Sequence, residues 1–312
     1  MHPRNHSTVT EFILLGLSND PSTQILLFQI FLIIYMATLA GNFLLILAVR
    51  TDGRLHNSMY FFLSSLSFLD ICYTSIIVPK MLVNFLASKK TISFTGCALQ
   101  VYFYLFLGET ECVLLAFMAY DRFVAICNPL RYNAIMKTEV CTWMIGASWS
   151  TGCIISSMDM YFTYRLTYCG PNIIDHFFCE VPLLLQLSCT DISVNNIIKL
   201  VGGTALLCIP LTLILISYFK IFAAIVRIHS GRYKAFSTCI SHLVVVTIFY
   251  GTAMFMYIRP KHLATKDTDK LVAVFYTVIT PTLNPVIYSL RNKDVQRAMR
   301  RLVGPAACNP NR

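Results

Sequence analysis

The chain has 312 residues, of which 56% are hydrophobic and only 13% are charged, and its net charge is +10 at neutral pH. A soluble domain carries roughly 25% charged residues. This composition, with a mean hydropathy of +0.63, therefore excludes an ordinary soluble domain. The apolar surface is expected to lie in a lipid bilayer instead.

Seven apolar segments are long enough to span a bilayer, which takes about 20 helical residues. They predict an all-α membrane protein: a seven-transmembrane helix bundle in one domain, 1–312, with an extracellular N-terminus (1–24) and a cytoplasmic tail (292–312). After the last span, Lys293–Val303 predicts a short amphipathic, basic helix, α8, on the inner membrane face. The predicted spans are approximately α1 (25–49), α2 (57–80), α3 (92–122), α4 (140–160), α5 (196–226), α6 (235–258) and α7 (270–291).

The distribution of basic residues sets the orientation. With the N-terminus outside, the cytoplasmic parts hold 15 of the 25 Lys and Arg residues, in agreement with the positive-inside rule. The basic excess therefore faces membrane lipid on the cytoplasmic side and gives no reason to predict nucleic-acid binding. Met1–Pro21 has no cleavable signal pattern, so α1 is expected to be an uncleaved signal anchor. Asn5 begins an N-x-S triplet on the outer side and is a predicted glycosylation site.

Polar side chains interrupt the first three predicted spans. Asn42 in α1 needs a hydrogen-bond partner in the membrane, on α2 or α7. Asp70 in α2 is an intramembrane carboxylate, a residue that is rare and usually functional. In α3, Glu109 and Glu111 border the two sides of one helical stripe. The stripe consists of Val101, Tyr104, Leu105, Gly108 and Cys112.

Four contiguous motifs resemble the olfactory receptor family of rhodopsin-like (class A) G-protein-coupled receptors. They are LHNSMYFFLSSLSFLD (Leu55–Asp70), MAYDRFVAICNPLRY (Met118–Tyr132), KAFSTCISHL (Lys234–Leu243) and PTLNPVIYSLRN (Pro281–Asn292). The resemblance runs from about Phe12 to Asn292 and departs from the family form at two notable positions. Phe123 replaces the usual Tyr, and Ser58 replaces the usual Pro, which predicts a less rigid start of α2.

The resemblance implies a switch at the cytoplasmic end, where Arg122 is held at rest and released to meet a G protein. Pro285 lacks an N–H and weakens α7 locally, which allows a bend. Tyr288 and Tyr218 are expected to rearrange as α6 moves. The predicted coupling and switch residues are Asp121, Arg122, Tyr218, His242, Asn284, Pro285 and Tyr288.

At the outer end, the resemblance implies a mostly apolar cavity among α3, α5, α6 and α7 for a small volatile odorant. Glu109 lies outside the family motif, and at the cavity edge it could bind an alcohol or an amine. The alternative is a protonated Glu109 bonded to a neighbouring helix. The predicted ligand contacts are Tyr104, Leu105, Gly108, Glu109, Cys112, Gly202, Leu206, Tyr250, Ala253, Met254, Tyr257 and Thr277.

The long outer loop, Tyr161–Asn195, contains Cys169, Cys179 and Cys189, and Cys97 opens α3 on the same side. Four cysteines allow three pairings. The resemblance selects Cys97–Cys179 and Cys169–Cys189, and the first would hold the loop over the cavity. The loop also offers His, Cys and Glu side chains for a soft metal, but the disulfide of Cys179 argues against a metal site.

The resemblance also brings Asp70 and Glu111 together in the membrane. Two such carboxylates cannot both stay ionised without a counter-charge. They therefore either share a proton or hold a cation, and in related receptors the position of Asp70 contributes to a sodium site. Sodium would be an allosteric modulator, and no other cofactor is expected.

The predicted function is that of an odorant receptor in the cell membrane, at the sensory cilia of olfactory neurons, which activates a stimulatory olfactory-type G protein and raises cyclic AMP. A transporter would show repeated halves with broken helices, and the chain has no such repeat. An enzyme is not expected, since the HExxH, GxSxG and GxxxxGK motifs are absent. The remaining alternative is a non-olfactory rhodopsin-like receptor for another small molecule, against which KAFSTCISHL argues.

Overall fold

The structure is a computed structural model that describes residues 9–169, 171–227, 232–258 and 266–303. Within these ranges seven long helices form a bundle, so the predicted fold class is confirmed. The last of them, α7, is continuous through a π-helical segment, Phe275–Ile279, which lies between Lys266–Val274 and Thr280–Arg291. The other six are α1 (Pro21–Thr51), α2 (Ser58–Leu86), α3 (Phe94–Cys127), α4 (Thr138–Tyr164), α5 (Ser193–Arg227) and α6 (Arg232–Ile258).

Polar caps set where the helices begin, so α1 starts at Pro21, before its predicted span, and α3 starts at Phe94, two residues later than predicted. Asp20 accepts a hydrogen bond from the backbone N–H of Thr23 at 2.8 Å and starts α1. Ser93 accepts one from the N–H of Gly96 at 3.0 Å and starts α3. Such side chains satisfy the first N–H groups of a helix, which have no partner within the helix itself.

Six of the described helices are long and apolar enough to cross a membrane by length and composition, and α4 is not among them. Its hydropathy is low because small polar residues face α3: Ser148, Gly152 and Ser156 are buried at a spacing of four residues. A Cβ atom on Gly152 would lie 2.6 Å from the carbonyl oxygen of Phe106. Small residues allow such close approach of two membrane helices, so packing against α3 holds α4 in the bundle.

A small sheet covers the outer end, and no strand was predicted there. Strand β1 (Glu11–Leu14) lies between β2 (Thr91–Ser93), which runs antiparallel to it, and β3 (Ile173–Ile174), which runs parallel. Phe12 and Leu14 of β1 are fully buried. The three strands are too short and too distant in sequence to be recognised from local periodicity.

At the inner end, α8 (Lys293–Val303) follows α7 after one residue and packs on α1. Its buried Val295 and Ala298 join a cluster with Leu45 and Ala48. The guanidinium of Arg301 lies 3.2 Å from the carboxylate of Asp52. The apolar face of α8 therefore contacts α1, and its basic residues face the cytoplasmic surface.

Candidate functional site

Three ring side chains and one carboxylate meet beneath the long outer loop. The Tyr276 hydroxyl of α7 donates a hydrogen bond to the Glu180 carboxylate at 2.5 Å, and the Tyr104 hydroxyl of α3 lies 3.4 Å from that of Tyr276. The ring of Phe178 packs edge-on against Tyr104, with the centroids 5.3 Å apart. The group Tyr104, Phe178, Glu180 and Tyr276, here called the outer cluster, joins α3, α7 and the loop.

Disulfides hold the loop in this position. Cys97 at the start of α3 is joined to Cys179, and Cys169 is joined to Cys189 within the loop, which is the pairing that the resemblance implied. Gln100, one turn after Cys97, accepts a hydrogen bond from the backbone N–H of Cys179 at 3.0 Å. Because Glu180 follows Cys179 directly, the disulfide places the carboxylate of Glu180 over the bundle.

The segment before Cys179 is anchored by charge and by aromatic packing. Asp175 accepts a hydrogen bond from the ammonium group of Lys270 on α7 at 2.7 Å. The ring of His176 stacks on Phe177 with centroids 4.7 Å apart and meets Phe178 edge-on at 4.9 Å. Burial lowers the pKa of His176, against an opposing effect of the Glu180 carboxylate, so the ring is neutral in the folded loop.

The predicted ligand contacts of α3 and α6 lie at two depths. Near the loop, Leu105 packs with the outer apolar residues and Gly108 faces the ring of Tyr73 on α2. Deeper, the buried Tyr250 of α6 donates a hydrogen bond to the backbone carbonyl of Cys112 at 3.0 Å. Tyr250 and Cys112 therefore link α6 to α3.

The other predicted contacts are less closely engaged. On α5, Leu206 is half-buried, and a Cβ atom on Gly202 would meet open space. Ala253 and Met254 of α6 are half-buried as well. Thr277 is buried in the π-helical segment and donates to the carbonyl of Ala273 at 2.7 Å. The side chain of Tyr257 lies outside the described residues, as does Asn5.

Glu109 faces α4, away from the predicted cavity edge. Its buried carboxylate lies beside the backbone of Ser156 and within electrostatic range of Asp159. The sequence analysis placed Glu109 at a border of the stripe, but the helix that packs against that border could not be predicted from α3 alone. Of the two alternatives for Glu109, a bond to a neighbouring helix agrees better with this position.

Asp70 and Asn284 form a buried polar pair between α2 and α7. The amide nitrogen of Asn284 donates to both carboxylate oxygens of Asp70, at 3.1 Å and 3.0 Å. Glu111 lies within electrostatic range of Asp70, as expected. The direct hydrogen-bond partner of Asp70, however, is Asn284. Asn42 of α1 reaches the same helix, donating to the carbonyl of Pro281 at 3.1 Å.

A sodium site at Asp70 and Glu111 stays a prediction. In the described part of the chain, the Oε1 atom of Glu111 and the Oδ1 atom of Asn284 are buried without a hydrogen-bond partner. With the carboxylate of Asp70 they offer oxygen ligands, which hard cations prefer. Among the described residues, no cluster of three or more His, Cys, Asp or Glu side chains could hold a metal ion.

At the cytoplasmic end of α3, Asp121 holds Arg122. The Arg122 guanidinium donates to the Oδ2 atom of Asp121, and both residues are buried. The Oδ1 atom of Asp121 accepts hydrogen bonds from the hydroxyl groups of Ser58 at 2.7 Å and Tyr132 at 2.9 Å. Arg122 is therefore turned into the bundle, away from the cytoplasm.

The remaining predicted switch residues lie close by. The Tyr218 hydroxyl of α5 lies 2.6 Å from the Nδ1 atom of His242 on α6, so these two helices are joined at their inner ends. Pro285 is buried and packs against α1, where a Cβ atom on Gly41 would lie 3.3 Å from its ring. The hydroxyl of Tyr288 is buried and has no hydrogen-bond partner in the described ranges.

Comparison with known proteins identifies the family. The sequence model of the olfactory receptor family matches residues 31–304. The chain is 49% identical to olfactory receptor 10A7 of Homo sapiens, over 96% of this chain and 95% of that protein. The chain belongs to the olfactory receptor family. This olfactory receptor is also 52% identical to the olfactory receptor-like protein OLF1 of Canis lupus familiaris, over 96% of this chain and 97% of the relative.

The fold is shared more widely. Squid rhodopsin superposes on this olfactory receptor with a TM-score of 0.73 and 16% identity, over 91% of this chain and 86% of that structure. The protein is therefore a multi-pass membrane receptor with the fold of G-protein-coupled receptors, and it is not an enzyme. Its family supports a role as an odorant receptor that works with a small ligand and a G protein.

Three residues of the site were missed by the sequence analysis. Phe178, Glu180 and Tyr276 form the outer cluster with Tyr104, and none of them was predicted as a ligand contact. The position of Glu180 could have been predicted. The resemblance joins Cys179 to Cys97 at the start of α3, so the next residue must lie over the bundle. Tyr276 had no comparable signal, since the π-helical segment that contains it changes which side chains face inward.

Proposed function

We propose that this receptor binds small volatile odorants in a mostly apolar cavity beneath the outer loop and activates a stimulatory G protein of the olfactory type. Cyclic AMP would then rise at the cilia of olfactory neurons. The observation that carries the proposal is the Asp121–Arg122 pair, buried at the cytoplasmic end of α3 in a chain of this family. A ligand that prefers the state with α6 displaced shifts the population of receptors toward the state in which Arg122 is free.

The proposed ligand contacts are polar members of the outer cluster and apolar side chains on α5 and α6. Tyr104 and Tyr276 offer hydroxyl groups, and Glu180 offers a carboxylate. Leu206, Ala253 and Met254 are half-buried and offer apolar surface on α5 and α6. A mostly apolar lining with few polar groups suits a small volatile molecule, which makes few hydrogen bonds.

The inner switch is proposed to couple two contacts. The Asp121–Arg122 pair would open when the Tyr218–His242 contact between α5 and α6 rearranges. A sodium ion at Asp70 and Glu111 would favour the resting state by offsetting one of the two negative charges of these buried carboxylates. Asn5 is proposed as the glycosylated residue on the outer side.

The test is a cyclic-AMP assay in cells that express the receptor with the olfactory G protein, against volatile alcohols, aldehydes, acids and amines. Wild type is compared with Arg122→Ala at matched surface expression. A response to a volatile ligand that disappears in Arg122→Ala supports the proposal. A response that persists in Arg122→Ala would overturn the role of Arg122.

Glu109→Gln separates a ligand contact from a packing residue in the same assay. Because Glu109 faces Ser156 and Asp159 of α4, we expect this variant to shift responses to all chemical classes alike. A change confined to alcohols or amines would place the carboxylate in contact with the ligand instead.

A further inference from the structure

The contact between Ser58 and Asp121 joins the start of α2 to the end of α3. We propose that Ser58 is a positioning residue which, with Tyr132, holds Asp121 against Arg122 and thereby suppresses signalling in the absence of ligand. This inference rests on the proposed coupling of Arg122 to a G protein. Ser58 stands where the family form has Pro, so the hydroxyl group would be a feature of this receptor.

The two oxygens of Asp121 have different partners. The Oδ2 atom accepts from Arg122, and the Oδ1 atom accepts from the hydroxyl groups of Ser58 and Tyr132. The Asp121 residue is only 1% exposed. A buried carboxylate needs hydrogen-bond donors to remain charged, and these donors also fix its orientation. With Oδ1 held by two hydroxyl groups, Oδ2 stays directed at the guanidinium.

Local structure places the Ser58 hydroxyl at this point. Asn57 caps α2 by accepting a hydrogen bond from the backbone N–H of Tyr60 at 3.3 Å, so Ser58 is the first residue of the helix. Its hydroxyl oxygen lies 2.5 Å from that of Tyr132, and its residue is buried. The position of Ser58 is thus determined by a helix cap and by its hydrogen bond to Asp121.

Tyr132 brings in a third segment of the chain. It starts a one-turn helix, Tyr132–Ile135, in the loop that follows α3. Burial and the adjacent Asp121 carboxylate raise the pKa of Tyr132 to about 12, so its hydroxyl remains a donor at neutral pH. Ser58, Asp121 and Tyr132 together connect α2, α3 and this loop beside Arg122.

A cavity next to the contact allows conservative replacement. It has a volume of about 590 Å³, opens at the cytoplasmic end, and is lined by Ser58 and Tyr132 among others. An added methyl group on residue 58 therefore has room beside the hydroxyl. A proline is also compatible with the first helical position, where its missing N–H is not needed.

The experiment measures ligand-free cyclic AMP at matched surface expression. Ser58→Ala is expected to raise this basal signal, because Asp121 loses one of the two donors to its Oδ1 atom. The rise is limited to about three- to tenfold, because Tyr132 still donates to the same carboxylate oxygen. Ser58→Pro, which restores the family residue and keeps the helix start, is expected to give the same increase. Ser58→Thr keeps the hydroxyl and should return the signal to near the wild-type level.

A matched control uses another buried serine. The Ser148 hydroxyl donates to the carbonyl of Met144 in its own helix at 2.9 Å, so Ser148→Ala loses a buried hydrogen bond without affecting Asp121. Its basal signal should equal that of wild type. If Ser148→Ala raised the signal as much as Ser58→Ala, general loosening of the bundle would explain both, and the inference would be overturned.

Asp121→Asn separates failure of the inference from failure of the proposed function. A neutral amide holds the Arg122 guanidinium less strongly than a carboxylate does, so this variant should raise the basal signal if Arg122 couples to the G protein. A rise in Asp121→Asn without a rise in Ser58→Ala overturns the role of Ser58 alone. No rise in Asp121→Asn overturns the proposed coupling, and this inference with it.

Discussion

The inner and outer ends of the bundle are built in different ways. At the inner end, the central contact joins Asp121 to Arg122, the next residue in the chain. The other two donors to Asp121 are Ser58, 63 residues before it, and Tyr132, 11 residues after it. At the outer end, Tyr276 reaches Glu180 across 96 residues, and β1 joins segments from three parts of the chain.

The difference shows what holds each end. The inner contacts depend on α3 and the start of α2, which are set by local caps and by helix packing. The outer contacts depend on the loop, and the loop depends on a disulfide and on strand pairing. We therefore expect changes at the outer end to alter stability first, and changes at the inner end to alter signalling first.

The largest expected effect is loss of the Cys97–Cys179 disulfide. Cys97→Ser with Cys179→Ser should destabilise the receptor by about 2–5 kcal/mol, because the bond restrains a long segment of the unfolded chain. Thermal unfolding in detergent, followed by size-exclusion fluorescence, measures this loss.

The matched control removes the second disulfide, Cys169–Cys189, which spans 20 residues against 82 for the first. Loop-closure entropy makes the shorter loop about 1 kcal/mol less stabilising. An equal or larger loss in Cys169→Ser with Cys189→Ser would contradict the central role assigned to Cys97–Cys179.

The next effect concerns the Asp70–Asn284 pair between the two ends. Asn284→Asp would place a second carboxylate against Asp70 and should cost about 1–3 kcal/mol, since a buried acceptor loses its donor. The reciprocal exchange, Asp70→Asn with Asn284→Asp, restores one acid and one amide and should recover most of the stability. Thermal unfolding in detergent measures both variants. Equal losses of stability in Asn284→Asp and in the double exchange would argue against a specific Asp70–Asn284 pair.

Tyr276→Phe tests the outer cluster with a smaller change. The variant keeps the ring and removes the donor to Glu180, so the receptor should lose about 0.5–1.5 kcal/mol. Glu180→Gln keeps an acceptor for Tyr276 and should lose less. A larger loss in Glu180→Gln than in Tyr276→Phe would show that the carboxylate acts through some other contact.

The smallest expected effect is a pH dependence of the outer loop. The charged groups near His176 are Asp175, Glu180, Asp269 and Lys270, and burial lowers the pKa of His176 below its ordinary value. A histidine that is neutral when folded and protonated when exposed stabilises the loop fully above about pH 6.5 and less as the pH falls.

Hydrogen exchange of residues 173–180 at pH 7.5 and at pH 5.5 measures this effect. After correction for the slower intrinsic exchange at low pH, lower protection factors are expected at pH 5.5 than at pH 7.5 in wild type. His176→Phe keeps an aromatic ring and should lose the pH dependence. If the pH dependence remained in this variant, a group other than His176 would be its cause.

Several features could be predicted because the residues that indicate each of them lie in one contiguous segment. Bilayer thickness requires about 20 apolar residues, so the seven helices follow from runs of apolar residues. The Asp121–Arg122 pair and the bend-prone Pro285 lie within contiguous motifs. The amphipathic α8 follows from the periodicity of eleven residues, and the structure has the same bounds, Lys293–Val303.

The partners of polar side chains were not predictable in the same way. Asp70 was identified as a buried carboxylate, but its donor, Asn284, lies 214 residues away. Glu109 was placed on the border of a stripe, and only the packing of α4 showed what it faces. Ser58 was noticed as a departure from the family form and expected to loosen the start of α2, whereas the structure engages its hydroxyl with Asp121.

The sequence by itself thus determined the membrane class, the number of helices, their orientation and the family, because hydropathy, charge and contiguous motifs are local properties of the chain. Tertiary structure alone decided which helix each polar side chain meets, how β1 joins the loop, and which residues form the outer cluster. Those contacts depend on the rotation and spacing of helices that pack together, and a buried polar group takes its partner from whichever helix packing brings within hydrogen-bond distance.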